Sequence, residues 1–138
     1  MGKNGLYIII STGTVDKLIN MGVLTQTAAN LGMPVGIFVT ATATAAFKKD
    51  GYKNSVVAPS GFEKMIKDIA DGLTKLKSGD WHEMVKTAKE IGEVRVYVCS
   101  LMAGAMNLKK EDLDPIVDEI IGAAAFMQEA ADGQVIFI

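Results

Sequence analysis

The fold is decided by residues 6–17, which read LYIIISTGTVDK. The first five of them, Leu6–Ile10, are nearly all apolar, which is typical of a short strand covered on both faces of a sheet. They are followed by Ser11-Thr12-Gly13-Thr14, a turn with helix-capping residues, and by Asp16, whose charge suits the first turn of a helix because it complements the helix dipole. The stretch therefore predicts a buried strand that leads directly into a helix.

The same alternation of strands and helices continues to the end of the chain. The further predicted strands are Val35–Thr40, Val94–Val98 and Gln134–Ile138, the last of them buried like the first. The predicted helices are the segment that ends near Asn30 and residues 62–76, 80–91 and 122–131. Residues 116–121 form either a short edge strand or part of a helix. This order predicts one α/β domain, residues 1–138, folded as a three-layer sandwich with a mainly parallel central β-sheet flanked by helices.

Composition narrows the class of protein. The chain has 138 residues, of which 49% are hydrophobic and 22% are charged, and its formal net charge is -2. Counted with its 14 glycines, the apolar fraction lies above the usual range of about 45–50%. This excludes a disordered chain and favours a homo-oligomer that hides additional apolar surface. The slightly acidic balance offers no nucleic-acid footprint, so no nucleic-acid partner is expected.

One segment is long enough to span a bilayer by count alone, because no charged residue occurs from Leu18 to Phe47. However, it contains Asn20, Gln26, Asn30 and the break Gly32-Met33-Pro34, where freed backbone groups would lack partners in lipid. We therefore predict a helix followed by a strand, and no membrane insertion.

Cys99 is the only cysteine, which excludes an intramolecular disulfide, a CxxC redox pair and a multi-cysteine zinc site and indicates a cytoplasmic protein. It directly follows a predicted strand, and ligands of open parallel sheets bind beyond the carboxyl ends of the strands. No charged residue lies between Val96 and Leu108, so an anionic sulfur there would depend on backbone N–H groups or on more distant residues. Position alone leaves two interpretations open: a functional thiol and a small packed core thiol.

Two hydroxyl-rich segments are expected beside Cys99, after the first and second strands. The predicted lining of the pocket is Thr12, Gly13, Thr14, Thr40, Ser100, Leu101 and Met102. The first loop has one glycine and lacks both the dinucleotide fingerprint and the P-loop lysine, so no cofactor is predicted. Core packing explains the methionines after Cys99 better than a copper site, so no metal is predicted either. His82 has Lys86 where a second zinc ligand would stand, and we expect it to face solvent.

Several segments in this order resemble the DsrE/DsrF-like family, which includes DsrEFH-like sulfur carriers. They are the first strand leading into residues 11–17, the step from residues 28–35 into 37–40, the run Cys99-Ser100-Leu101-Met102, and a tail of Gly122, an alanine-rich helix and a terminal strand. The resemblance covers essentially the whole chain. It implies a compact α/β subunit that assembles into trimers or hexamers and a cysteine, matched by Cys99, that carries sulfane sulfur as a persulfide. Relatives are also described as peroxiredoxin-like proteins or oxidoreductases.

The chain departs from the family pattern at two points. It reads Ala41-Thr42-Ala43-Thr44 where related members often carry an aromatic-glycine pair, which alters the shape of the pocket. It also lacks the second cysteine of other members, so the resemblance implies that sulfur enters and leaves through donor and acceptor proteins. The leading hypothesis is a sulfur carrier with sulfurtransferase-like activity at Cys99. The alternatives are a one-cysteine thiol peroxidase or redox protein, and a non-catalytic oligomeric interaction module.

Overall fold

The computed structural model describes residues 4–54 and 57–138. Its strands are β1 (Leu6–Ile10), β2 (Val35–Val39), β3 (Val94–Cys99), β4 (Glu119–Ile121) and β5 (Gln134–Phe137). Its α-helices are α1 (Val15–Asn30), α2 (Gly51–Asn54), α3 (Glu63–Leu76), α4 (Trp81–Ile91), α5 (Ser100–Ala105) and α6 (Ala123–Glu129). Two 3₁₀ segments, Ala41–Phe47 and Lys110–Asp112, complete the described elements.

The strands form one sheet of five in the order β4-β3-β2-β1-β5, and every pair of neighbours is parallel. In register, Ile10 pairs with Val39 and Val39 pairs with Val98, so β1, β2 and β3 end at nearly the same level. Helices lie on the faces of this sheet, which confirms the predicted α/β class with a parallel central sheet.

Two clusters of buried side chains occupy the two faces of the sheet, because successive residues of a strand point to opposite sides. The larger cluster contains Ile8 and Ile10 of β1 with Leu18 and Met21 of α1, and Val85 of α4. The smaller cluster is built on aromatic rings and includes residues of β1, β2, β3 and α6, namely Tyr7, Phe38, Tyr97, Cys99, Phe126 and Ala130. Cys99 therefore belongs to the α6 face of the sheet, opposite α1 and α4.

The segment from Leu18 to Phe47 contains most of α1 and then β2, which are the predicted helix and strand. A 3₁₀ segment follows β2. α1 ends at Asn30 with Leu31 as its C-cap, and Gly32 follows with a φ of 78°, the left-handed conformation that glycine adopts without strain. Among the described residues, no helix is both long and apolar enough to cross a membrane.

The predicted burial of the last strand is wrong. β5 forms one edge of the sheet. The other edge is β4, which lies within residues 116–121, and an edge strand there is one of the two predicted alternatives. The register places Val135 beside Tyr7 and Phe137 beside Ile9, so both side chains lie on the α6 face, yet both are exposed. An edge strand has a neighbour on one side only, and the two-turn helix α6 packs over Tyr7, Phe38 and Tyr97 instead.

Candidate functional site

The predicted site residues gather at the carboxyl edge of the sheet. Cys99 is the last residue of β3, and the β2–β3 register places Thr40 at its level, one step beyond the pair Val39–Val98. The turn 11–14 follows β1, the next strand along the sheet, and Ser100 begins α5. The topology thus brings the three predicted segments to the same edge.

Cys99 is 7% exposed and packs in the aromatic cluster on the α6 face. Met102 of α5 and Ile121 of β4 are partly buried against the same cluster, and Ile121 is also the strand partner of Cys99. Cys99 is the N-cap residue of α5, with φ -58° and ψ 124°, and its side chain makes no capping hydrogen bond. The backbone N–H groups that follow it belong to the first turn of a helix and lack intrahelical acceptors.

Hydrogen bonds fix the turn after β1. The Gly13 N–H donates to Thr42 Oγ1 at 3.0 Å, and the Thr42 hydroxyl donates to the Ser11 carbonyl at 3.2 Å. The Ser11 hydroxyl donates to the carbonyl of Ile138 at 3.2 Å. A Cβ on Gly13 would lie only 2.5 Å from the Thr42 carbonyl oxygen, so this position requires glycine. The turn is thereby attached both to the 3₁₀ segment after β2 and to the end of the chain.

The threonine hydroxyls of this edge remain accessible. Thr14 precedes α1 as its N-cap, but its side chain makes no capping hydrogen bond. Thr12, Thr14 and Thr40 are all partly exposed, and none of their hydroxyls bonds to another residue within ranges 4–54 and 57–138. The turn thus contains residue types that cap helices, but the side chain of Thr14 does not cap α1.

The outer rim of the edge is formed by α5 and the start of α6. Ser100 is exposed, Leu101 is 72% exposed and Met102 is partly buried. Gly122, which precedes α6, lies beside Ser100, since a Cβ there would be 3.7 Å from Ser100 Oγ. An exposed leucine next to a buried thiol gives this rim an apolar character.

Two cavities in the described part of the chain lie away from this edge. One, of about 390 Å³, lies at the start of α4, and the other, of about 960 Å³, lies between α3 and the starts of α1 and α4. Neither is lined by Cys99 or by the seven predicted lining residues. In the part of the chain that the structure describes, no group of three or more His, Cys, Asp or Glu side chains could hold a metal ion.

Tyr97 modifies the surroundings of Cys99, because it lies two residues earlier in β3 and on the same face. Burial raises the pKa of its hydroxyl, and a hydrogen bond to the carboxylate of Glu129 raises it further. The phenol therefore stays protonated and acts as a donor. It fixes the end of α6 against β3.

The prediction that His82 faces solvent is wrong. His82 Nε2 lies 2.8 Å from Asp114 Oδ2, and their side chains are only 8% and 4% exposed. Tyr52 stacks on the imidazole with ring centroids 3.7 Å apart and an interplanar angle of 7°. Asp114 is 32 residues away and lies in a turn that reads as polar and exposed, so helical spacing alone gives no sign of the pair. The available signal was Asp114-Pro115 between the apolar residues Leu113 and Ile116.

Comparisons with solved structures show which fold the chain shares with known proteins. No protein-family model and no curated protein matches the sequence. The solved structure of the YchN protein from E. coli aligns with a TM-score of 0.58 and 14% identity over 100% of both chains. The structure of protein MTH1491 from Methanobacterium thermoautotrophicum aligns with a TM-score of 0.54 and 14% identity over 99% of both chains. Over its whole length, therefore, the chain has a YchN/DsrE-like fold.

Proposed function

We propose that the protein is a cytoplasmic sulfur carrier in which Cys99 holds sulfane sulfur as a persulfide and passes it to the thiol of a partner protein. The observation that carries this proposal is the position of Cys99, the only cysteine, as the last residue of β3 and directly before α5. Ligands of parallel sheets bind beyond the carboxyl ends of strands, which supports a functional role for a lone sulfur at this position. The DsrE-like fold agrees with the family resemblance of the sequence.

The transfer requires no external oxidant or reductant. The Cys99 thiolate attacks the outer sulfur of a donor persulfide, the S–S bond of the donor breaks, and the donor leaves as a thiolate with the electron pair. Cys99 then carries the new S–S bond. An acceptor thiolate attacks the outer sulfur of Cys99 in the same way and regenerates the Cys99 thiolate. Two such exchanges constitute a sulfurtransferase reaction with one cysteine.

The surroundings of Cys99 suit a terminal persulfide. The Cys99 side chain makes no capping hydrogen bond to α5, and the first-turn N–H groups of a helix lack intrahelical acceptors, so they remain as donors for the outer sulfur of a persulfide. The hydroxyls of Thr12 and Thr40 lie at the same edge of the sheet and are partly exposed. The aromatic cluster behind Cys99 shields the inner sulfur from bulk reductants. These features support the proposal that Cys99 holds reactive sulfur.

Mass spectrometry after incubation with polysulfide tests the proposal. The intact protein should gain increments of one sulfur atom, peptide mapping should locate them on Cys99, and Cys99→Ala should gain none. Addition of a small acceptor thiol should then remove the increments. If the folded protein keeps a free thiol under conditions in which the denatured chain is loaded, the carrier proposal is wrong.

A packed core thiol is the second candidate, and the 7% exposure of Cys99 favours it. In that case an alkylating reagent would not modify Cys99 in the native protein, and the chain would be an oligomeric interaction module.

A thiol peroxidase would instead consume peroxide in the presence of an external thiol, and Cys99→Ala would abolish the consumption. The loading, alkylation and peroxide assays together assign Cys99 to one of these classes.

We also propose that the carrier is a homo-oligomer, a trimer or a hexamer, and that it exchanges sulfur with donor and acceptor proteins. Exposed apolar side chains support this, since Leu101, Phe137 and Met127 are 72%, 70% and 69% exposed. Such surface is normally covered in a subunit interface. Native mass spectrometry should give a trimer or hexamer, which Phe137→Asp dissociates and the control Lys75→Asp, at an exposed charged position of α3, leaves intact. A monomeric native protein would refute the assembly.

A further inference from the structure

The cavity at the start of α4 is separate from the Cys99 site. It has a volume of about 390 Å³ and is lined by Lys49, Asp50, Tyr52, His82, Lys86 and Asp114, among others. Its side chains pack with the cluster on the α1 and α4 face of the sheet, whereas Cys99 belongs to the opposite face. Sulfur transfer at Cys99 gives this cavity no role. Its size lies near the lower end of the range for ligand sites, about 300–1,000 Å³, and suits a small molecule.

The imidazole of His82 is held in one orientation. Asp114 Oδ2 pairs with His82 Nε2 at 2.8 Å, and Asp114 Oδ1 accepts from the Ile116 N–H at 2.9 Å. Tyr52 stacks flat on the ring and prevents rotation. Because the ionised carboxylate can only accept, Nε2 carries a proton and donates to Asp114.

The other ring nitrogen, Nδ1, is left for a ligand. It has no hydrogen-bond partner in ranges 4–54 and 57–138, yet it is not among the buried polar atoms of the described chain that are sealed from solvent. His82 lines the cavity, and Nδ1 is the ring nitrogen that Asp114 leaves unpaired. It accepts a hydrogen bond when the ring is neutral and donates one when the ring is protonated.

The charges around the cavity favour an anion. Lys49 and Lys86 are exposed, and neither forms an ion pair with a described residue. Of the two carboxylates, Asp114 pairs with His82, whereas Asp50 is exposed and lies 3.9 Å from Lys53 in a weak surface pair. Two ammonium groups, one oriented imidazole and the exposed carboxylate of Asp50 thus line the same small cavity.

We propose that this cavity binds the oxyanion group of a small molecule, a carboxylate or a phosphate, between Lys49, Lys86 and the protonated Nδ1 of His82. The imidazolium then lies between two anions, the buried carboxylate of Asp114 and the ligand.

Proton NMR tests the site directly, because His82 is the only histidine and its C–H resonances need no assignment. The native protein is titrated with inorganic phosphate and, separately, with acetate near neutral pH. Either anion should shift the His82 resonances saturably. Comparison of the two anions distinguishes a phosphate site from a carboxylate site.

Lysine variants keep the test independent of the buried pair. Lys49→Met combined with Lys86→Met should weaken anion binding at least tenfold, whereas the control pair Lys75→Met and Lys110→Met, at exposed positions outside the cavity, should not change it. Cys99→Ala should bind the anion like the native protein, so failure of the sulfur-carrier proposal is distinguishable. The inference is overturned if neither anion shifts the His82 resonances. It is equally overturned if the anion concentration that gives half of the maximal shift is the same in the double lysine variant as in the native protein.

Discussion

The Tyr97 hydroxyl donates to Glu129 Oε1 at 2.9 Å, which joins β3, two residues before Cys99, to the last residue of α6. The tyrosine is almost fully buried, and Glu129 is half-buried. Burial of the phenol is the main reason why the pKa of Tyr97 is raised, and the carboxylate of Glu129 adds to it. The bond therefore persists over the whole range in which the phenol keeps its proton. It helps to fix the aromatic cluster that surrounds Cys99.

This bond predicts a loss of stability in alkali. Below pH 10 both the folded and the unfolded chain keep the Tyr97 proton, and its contribution is complete. Above pH 10 the unfolded chain loses the proton first, so the free energy of unfolding falls as the pH rises towards the raised pKa of Tyr97. Urea denaturation of the native protein and Tyr97→Phe between pH 8 and 11 should give a shallower fall for the variant. At neutral pH the variant should lose about 1.5–3 kcal/mol, the value of a hydrogen bond to a charged group. Parallel slopes for the two proteins would contradict the assignment.

Gly13 gives a prediction about the turn after β1. Gly13→Ala would place a methyl group 2.5 Å from the backbone carbonyl of Thr42, which cannot move without breaking the contact between the turn and the 3₁₀ segment. We expect a loss of about 1–3 kcal/mol in the free energy of unfolding, as for other overpacked positions. Gly72→Ala in α3 is the matched control, since a Cβ there meets no atom within 4 Å. It should stabilise the chain by about 0.4–1 kcal/mol. Equal effects of the two alanines would refute the steric argument.

The packing of the Cys99 side chain indicates which substitution gives a suitable inactive variant. Its side chain packs among aromatic and aliphatic groups, so Cys99→Ser buries a hydroxyl in an apolar cluster. We expect Cys99→Ser to cost about 1–3 kcal/mol if the hydroxyl finds no partner, and Cys99→Ala to cost less because it adds no polar group. Thermal unfolding of both variants measures the difference. A serine variant as stable as the alanine variant would mean that the hydroxyl reaches a backbone acceptor or solvent. The alanine variant is therefore the better control for sulfur loading.

The sequence predicts the interior of the sheet well because burial leaves a local pattern. Val35–Val39 is buried throughout, as its apolar run indicates, and Asp80 accepts a hydrogen bond from the Glu83 N–H at 2.8 Å, as the spacing Asp-x-x-Glu indicates. The place of Cys99 at the end of β3 also follows from the apolar run that precedes it. These features depend on neighbours in the chain, which the sequence displays directly.

The failures concern contacts between distant parts of the chain. The apolar residues of β5 cannot reveal that the strand lies at an edge, because strand order is set by the whole sheet. Likewise, the burial of His82 depends on Asp114, which is distant in sequence, and on Tyr52, which approaches from α2. A polar residue is buried when a partner compensates for its desolvation, and a pattern of hydrophobicity does not record such a partner. The candidate anion cavity was missed for this reason.

The His82–Asp114 pair itself gives the last prediction. Removal of one partner leaves the other buried without compensation, so His82→Leu or Asp114→Leu alone should cost about 3–5 kcal/mol. The double variant should cost less than the sum, because it leaves neither group unpaired and fills the site with apolar atoms. Urea denaturation of the four proteins in the cycle measures the coupling. The control is the ion pair Lys64–Asp68, 3.2 Å apart on the exposed face of α3, for which the same cycle should give about 0.3–0.5 kcal/mol. If the buried pair couples no more strongly than this exposed one, His82 is not held by Asp114 in solution, and the orientation of its ring is not fixed.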